Sequence, residues 1–121
     1  MRASVQVKVY LVDEDGEHLM GTGLLRLLTG IERRRSIRRA AQDMDMSYMK
    51  AHAILKRMER GLGGPLVTRW HGGAAKGGAE LTPFARDLLA RYTRHSDRVG
   101  ALARKEFAPL LKKLRAAKRA P

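Results

Sequence analysis

The chain has 121 residues, enough for a single domain, and its 25 Lys and Arg outnumber its 12 Asp and Glu to give a formal net charge of +13. So basic a chain indicates a polyanionic partner: nucleic acid first, an acidic membrane surface second, or, as the alternative, a merely basic, ribosome-like surface. The lack of cysteine excludes disulfides and thiolate metal sites, and no signal peptide or membrane-spanning apolar run is recognisable, so we expect a cytoplasmic protein with no membrane partner.

Residues 3–20 predict an N-terminal strand or hairpin. In VQVKVYLV, every second residue from Val5 to Leu11 is apolar, which is the period of a half-buried strand. The following DEDG is a turn signal, and EHLM is predicted to return as a short second strand.

Residues 21–63 predict three helices, the second and third forming a helix-turn-helix over 36–62. A first helix follows from Leu and Ile residues at helical spacing between positions 24 and 31. Ser36 is a suitable N-cap for a second, short helix that runs to about Asp43, and Ser47 for a third. The third helix has an inward apolar stripe, and glycines end it; the stripe consists of Ala51, Leu55, Met58 and Leu62.

Residues 66–82 predict a hairpin, and a long helix with a basic tail follows over 83–118. LVTRW and AEL are the two strands, separated by HGGAAKGG, which is either only a flexible loop or the tip of a DNA-binding wing. Thr82 caps the last helix and Pro109 is expected to end or kink it. Its predicted apolar face consists of Phe84, Leu88, Leu89, Tyr92, Val99 and Leu102.

This order of elements predicts an α+β fold, mostly α: a single winged helix-turn-helix domain over residues 1–121, with an N-terminal β-strand or hairpin and a long C-terminal helix. In such a fold the N-terminal turn of the recognition helix meets base edges while its opposite stripe packs inward. The first turn of the third helix would therefore face the major groove with Ser47, Tyr48, Met49 and Lys50.

Lys50 could donate to guanine or to a phosphate, although an exposed lysine taken alone is more often a solvated residue than one that contacts a base. Further cations are predicted to contact phosphates, and two are assigned to the base and the tip of the wing. The phosphate contacts are Arg38, Arg39, Lys56 and Arg57, and the wing cations are Arg69 and Lys76.

Catalysis has no support in the sequence. The four histidines are scattered, the acidic residues fall in turns, and no nucleophile or metal-ligand motif occurs, so we expect neither an enzyme nor a metal site.

The stretch from Gly21 to Tyr92 resembles the DNA-binding domain of the ModE family of molybdate-responsive transcriptional regulators, which is related to the LysR-type helix-turn-helix. The matching pieces are SI-x-x-AA at 36–41, MSY at 46–48, LV-x-R at 66–69, the glycine-rich wing with Lys76, and LTPFA-x-x-LL at 81–89. The sequence departs from the family at Arg35, where glycine is common, at Ala74 and Ala75 within the wing, and at Trp70–His71 before it.

The resemblance implies a homodimeric regulator that binds a roughly palindromic operator, with the first and last helices and the N-terminal strand region at the dimer interface. Regulators of the family carry C-terminal molybdate-binding modules, whereas the sequence ends at Pro121 in a basic helix. We therefore expect a stand-alone DNA-binding chain without a cofactor, for which molybdate or another oxyanion is a doubtful effector and a separate protein is a possible sensor. The alternatives are a nucleoid-type architectural protein with low sequence specificity and a module that docks on an acidic protein.

Overall fold

The computed structural model describes residues 2–71 and 77–119 of the chain. They form two small antiparallel hairpins and four helices, and the fold is mostly α with a minor β part, as predicted. In chain order the elements are β1 (Leu11–Val12), β2 (His18–Met20), α1 (Thr22–Arg34), α2 (Ile37–Asp43), α3 (Tyr48–Leu62), β3 (Val67–Trp70), β4 (Gly78–Leu81) and α4 (Pro83–Arg119).

The chain divides into two compact units. One runs from Tyr10 to Ala90 and contains both hairpins, α1 to α3 and the start of α4; the other combines the residues up to Val9 with those from Arg91 onward. Within the second unit the Tyr92 hydroxyl donates a hydrogen bond to the Val9 carbonyl. The prediction of one domain over residues 1–121 stays a prediction.

The N-terminal hairpin is shorter than predicted. Only Leu11 and Val12 form the first strand, paired with β2, so the prediction of a strand that begins at Val5 is wrong. The alternation of Val5, Val7 and Val9 is real, but among the described residues no strand pairs with this segment, and a strand needs a ladder partner to satisfy its backbone groups. The turn itself is confirmed, because the Asp13 carboxylate accepts from the amides of Asp15 and Glu17.

The core of the larger unit is formed by α1, α2 and α3. Leu28 and Ile31 of α1 and Ala41 of α2 are completely buried, and the small Ala40 lies against Gly30, so the two helices can cross closely. The predicted inward stripe of α3 is confirmed for its first three positions, while Leu62 is only half-buried. Gly63 ends the helix with a φ of 87°, a conformation that costs glycine no steric clash.

The second hairpin packs on α1. Its register pairs Val67 with Leu81 and Trp70 with Gly78, which confirms the two predicted strands. Leu81 and Ala79 are buried, so β4 presents one face to the core. The residues between the strands, 72–76, lie outside the described part of the chain.

Thr82 caps α4 as predicted, since its hydroxyl oxygen accepts from the Ala85 amide at 3.1 Å. Pro109 was expected to end or kink this helix. It does not end it, because α4 continues through it to Arg119, and a kink stays a prediction. Proline removes one intrahelical hydrogen bond, but the residues that follow are strong helix formers and extend the helix beyond it. Three members of the predicted apolar face, Phe84, Val99 and Leu102, are 41–58% exposed. No described helix combines the length and the apolarity needed to cross a membrane.

Candidate nucleic-acid interface

The helix-turn-helix is built by two serine caps and a tight turn. The Ser36 hydroxyl oxygen accepts from the Arg39 amide, and that of Ser47 from the Lys50 amide, each at 3.1 Å. Between the helices Asp45 has a φ of 55°, a left-handed conformation that aspartate tolerates better than most residues. Asp45 therefore lies in the turn of the motif.

The first turn of α3 presents the predicted base-reading residues in different ways. Met49 is 75% exposed and Lys50 is exposed beside it, so both side chains are free to approach a partner. Tyr48 is half-buried, and the Arg38 guanidinium lies 5.1 Å from the centre of its ring. Ser47 uses its oxygen as the cap, which leaves its hydroxyl proton available to a phosphate.

The predicted phosphate contacts fall into two groups. Arg38, Arg39 and Lys50 are exposed and have no ion pair with any acidic side chain in the described residues. Lys56 and Arg57 do have such partners. Their ammonium and guanidinium nitrogens lie 3.8 Å from a Glu59 oxygen and 3.5 Å from a Glu17 oxygen, respectively. The start of α3 therefore offers uncompensated cations, and its second half offers compensated ones.

Arg69 is held between β3 and α3 rather than extended into solvent. It is half-buried, and its Nη2 lies 3.1 Å from Nδ1 of His52. Because a guanidinium only donates, Nδ1 of His52 is the acceptor in this hydrogen bond. The Nε of Arg69 is buried without a hydrogen-bond partner in the described part of the chain. The remaining wing cation of the prediction, Lys76, lies outside the described residues.

A groove of about 570 Å³ runs between the start of α2, the first turn of α3 and the β3–β4 hairpin. It brings together three of the predicted cations, Arg38, Arg39 and Arg69, with Tyr48. It also contains residues that sequence reasoning did not select, namely Arg34, Arg35, Trp70 and His71. The run ERRRS directly before the second helix contains both arginines, and its density of positive charge is the sequence signal that could have selected them.

The groove remains positive after its ion pairs are counted. Arg34 pairs with Asp43 at 3.2 Å and Arg35 with Glu80 at 3.4 Å, and both pairs are largely solvent-accessible. Exposed pairs of this kind are weak, so the two carboxylates compensate these arginines only in part. Five guanidinium groups along one groove thus form a surface suited to a polyanion such as a phosphate backbone.

Comparison with known proteins agrees with this geometry. Residues 22–86 match the family described as bacterial regulatory helix-turn-helix protein, lysR family. The chain is 40% identical over 77 residues to the molybdenum transport protein ModE of Azotobacter vinelandii, a match that covers 60% of this chain and 28% of the relative. It is 41% identical over 73 residues to the molybdenum-pterin-binding protein MopB of Rhodobacter capsulatus, covering 60% of this chain and 27% of that relative. The match thus spans little more than a quarter of the length of these curated relatives.

Proposed function

This chain belongs to the bacterial regulatory helix-turn-helix proteins of the lysR family, and is thereby a DNA-binding regulator of transcription; on that premise we propose that it binds double-stranded DNA sequence-specifically as a homodimer. In this proposal the first turn of α3 enters the major groove and the β3–β4 hairpin lies on phosphates or in the minor groove. The protein acts in the cytoplasm, on the nucleoid, and catalyses no reaction.

The distribution of charge at the helix-turn-helix carries the proposal. Lys50 is exposed in the first turn of α3, and Arg38 and Arg39 of α2 are exposed and line the groove to which Tyr48 of that turn also contributes. With no acidic partner in the described residues, these three cations can take phosphates or base edges without first breaking an ion pair. A surface that served only solubility would not require cations without partners at this position.

Exposed apolar residues on α4 support the homodimer. Five large apolar side chains from Val99 onward are 43–58% exposed, namely Val99, Leu102, Phe107, Leu110 and Leu114. Apolar exposure repeated along one helix is typical of a helix that pairs with another. Light scattering at micromolar concentration should give twice the chain mass, and a monomeric mass would contradict the dimer. Two-fold symmetry then places the half-sites about one DNA turn apart, roughly 34–36 Å.

The names of the two relatives concern molybdenum, and this chain matches only a minor part of each. We propose that the shared part is the DNA-binding portion. The matched residues then do not bind molybdate themselves, and a sensor protein that binds to this chain is one source of a response to molybdate. Mapping of bound genomic sites with and without molybdate tests this proposal, and an unchanged set of sites for the chain alone is expected.

The central experiment is selection of preferred duplexes from a random pool with the full chain, followed by titration over a range of salt concentrations. If a dimer neutralises about six to eight phosphates, log K falls against log salt with a slope of roughly −5 to −7. The selected sequence should bind at least about 10³-fold more tightly than random DNA. Failure to bind any duplex at low salt would refute the proposal and leave a module that docks on an acidic protein.

One observation favours a second candidate, an architectural protein that coats DNA with little preference. The net charge of +13 and the basic stretch KKLRAAKR exceed what a single operator contact requires. A specificity ratio below about tenfold over random DNA would favour this candidate.

A further inference from the structure

Arg35 has a backbone conformation that an arginine rarely adopts. Its φ is 54° and its ψ 34°, in the left-handed region, where it ends α1 with its amide donating to the Ile31 carbonyl at 2.7 Å. A residue with a Cβ incurs a steric penalty there that glycine avoids. Such an outlier persists where surrounding interactions hold it, so the contacts of its side chain indicate why an arginine is present.

The side chain of Arg35 touches both strands of the β3–β4 hairpin. Its Cζ lies 5.5 Å from the centre of the Trp70 ring on β3, and its Nη2 lies 3.4 Å from Oε2 of Glu80 on β4. A planar guanidinium can stack on a ring and pair with a carboxylate at the same time, which a lysine ammonium cannot do. One residue next to the start of α2 therefore links the hairpin to the helix-turn-helix.

The backbone strengthens the same link. The carbonyl of Arg35 accepts from the Ala79 amide of β4 at 3.1 Å. A Cβ at Gly78 would lie 2.9 Å from that carbonyl oxygen and 2.4 Å from the Trp70 ring, so only glycine lets the strand pass this closely. The hairpin is thus seated on Arg35 by a stack, an ion pair and a main-chain hydrogen bond.

We propose that Arg35 is a positioning residue for DNA binding: it fixes the β3–β4 hairpin against the helix-turn-helix. Arg35 and Trp70 both line the groove that also contains Arg38 and Arg39, so the contacts between Arg35 and the hairpin set the spacing of the groove walls. The hairpin and the first turn of α3 then have a fixed relative position before the duplex binds. Binding therefore loses less conformational entropy of the protein. This inference rests on the proposed function, since it assigns Arg35 a role in DNA binding.

Trp70 is the only tryptophan, so its fluorescence reports on the contact between Arg35 and the hairpin in the absence of DNA. Arg35→Gly keeps the left-handed backbone and removes only the side chain, so the variant should fold with an undiminished Tm. We expect red-shifted Trp70 emission, stronger quenching by acrylamide, and exchange of the Ala79 amide that is about two- to tenfold faster. Emission and exchange equal to those of the unmodified protein, or of the charge-matched variant Arg26→Gln, would overturn the proposal.

Binding to DNA separates positioning from direct contact. Glu80→Ala removes an acidic group, so simple electrostatics predicts tighter DNA binding. Direct contact of Arg35 with phosphate also predicts tighter binding, because the variant releases Arg35 from its ion pair. If Arg35 instead positions the hairpin, Glu80→Ala should weaken DNA binding. We expect Glu80→Ala and Arg35→Gly each to weaken binding of selected and random duplexes by about five- to tenfold. The charge-matched control Glu14→Ala, which alters a turn residue outside the groove, should bind as tightly as the unmodified chain or slightly more so.

Tighter DNA binding by Glu80→Ala would overturn the proposal. The variant also removes one of the two carboxylate partners of Arg86, but Arg86 keeps its ion pair with Glu32 at 3.2 Å. Unchanged fluorescence combined with weak DNA binding by Arg35→Gly would also overturn it, in favour of direct contact. If the unmodified chain binds no duplex, the proposed function fails together with the role in DNA binding. The fluorescence and exchange measurements then still decide whether Arg35 holds the hairpin.

Discussion

The two ends of α3 carry similar basic residues in different electrostatic surroundings. Lys50 in the first turn has no acidic partner in the described residues, as is also true of its neighbours on α2, Arg38 and Arg39. In the second half of the helix, Lys56 and Arg57 lie within 3.8 Å of glutamate oxygens. A formal charge in the sequence is therefore a poor measure of a cation that is available to DNA.

The positive end of the helix reinforces this difference. The first-turn amides of α3 point toward the same end as Lys50, and aligned peptide dipoles favour an anion there. The second half of the helix has no such contribution. If the comparison holds, base and phosphate recognition concentrates at the start of α3, and the other end contributes mainly long-range attraction.

The largest expected effect comes from Lys50. Lys50→Ala should cost about 1–3 kcal/mol on a selected duplex and relax the preference at one base pair, because alanine cannot donate to a base edge. Lys56→Ala removes the same charge and should cost less than about 1 kcal/mol, since Glu59 already compensates it. Titration of both variants against the selected duplex and its single-base variants measures the difference. Equal losses on selected and random DNA would contradict base reading by Lys50.

A smaller effect should appear in the salt dependence. Replacing Arg38 and Arg39 together by alanine should reduce the slope of log K against log salt by about 0.9 for each phosphate that is no longer neutralised. The charge-matched pair Lys56→Ala and Arg57→Ala should reduce it less, because their counter-ions are glutamates of the same chain. Similar slopes for the two double variants would show that the distinction between the ends of α3 has no functional meaning.

The smallest expected effect comes from removing a glutamate that pairs with a cation of α3, which tests whether the released cation becomes available to DNA. Glu17→Ala removes the acidic partner of Arg57 and should tighten binding of random duplex by about twofold, since an exposed pair of this kind is weak. Glu14→Ala removes the same charge three residues away without releasing a cation, and it serves as the control. Weaker binding by Glu17→Ala would mean that Arg57 needs Glu17 to hold it in place.

Much of the fold follows from local signals. The helices α1 to α3 and the second hairpin lie where periodicity and turn residues predict them, and Ser36, Ser47 and Thr82 all act as caps. The helices and their caps depend on neighbours within four residues, which the sequence displays directly. The strand from Val5 was predicted by the same reasoning and is wrong, because alternation indicates a suitable strand but cannot supply its partner.

The candidate site was less accessible from sequence. Sequence reasoning assigned Lys50 to the major groove and assigned Arg38, Lys56 and Arg57 alike to phosphates. It could not distinguish the exposed Arg38 from the two cations that have glutamate partners. Arg69 was assigned to the base of the wing, and only the structure shows its guanidinium held by His52, 17 residues earlier. Pairing between distant side chains leaves no periodic trace in the sequence.

The sequence by itself determined the fold class, the helix-turn-helix and the basic character of the chain, because periodicity, capping and net charge are local or additive properties. Only the tertiary structure decided which cations have acidic partners, and it alone joined Arg35 to Glu80 across 45 residues. That link depends on a left-handed backbone at Arg35 and a close approach at Gly78, which are consequences of how the hairpin packs. Packing brings together residues that the chain keeps far apart, and the functional arrangement of charge arises at that level.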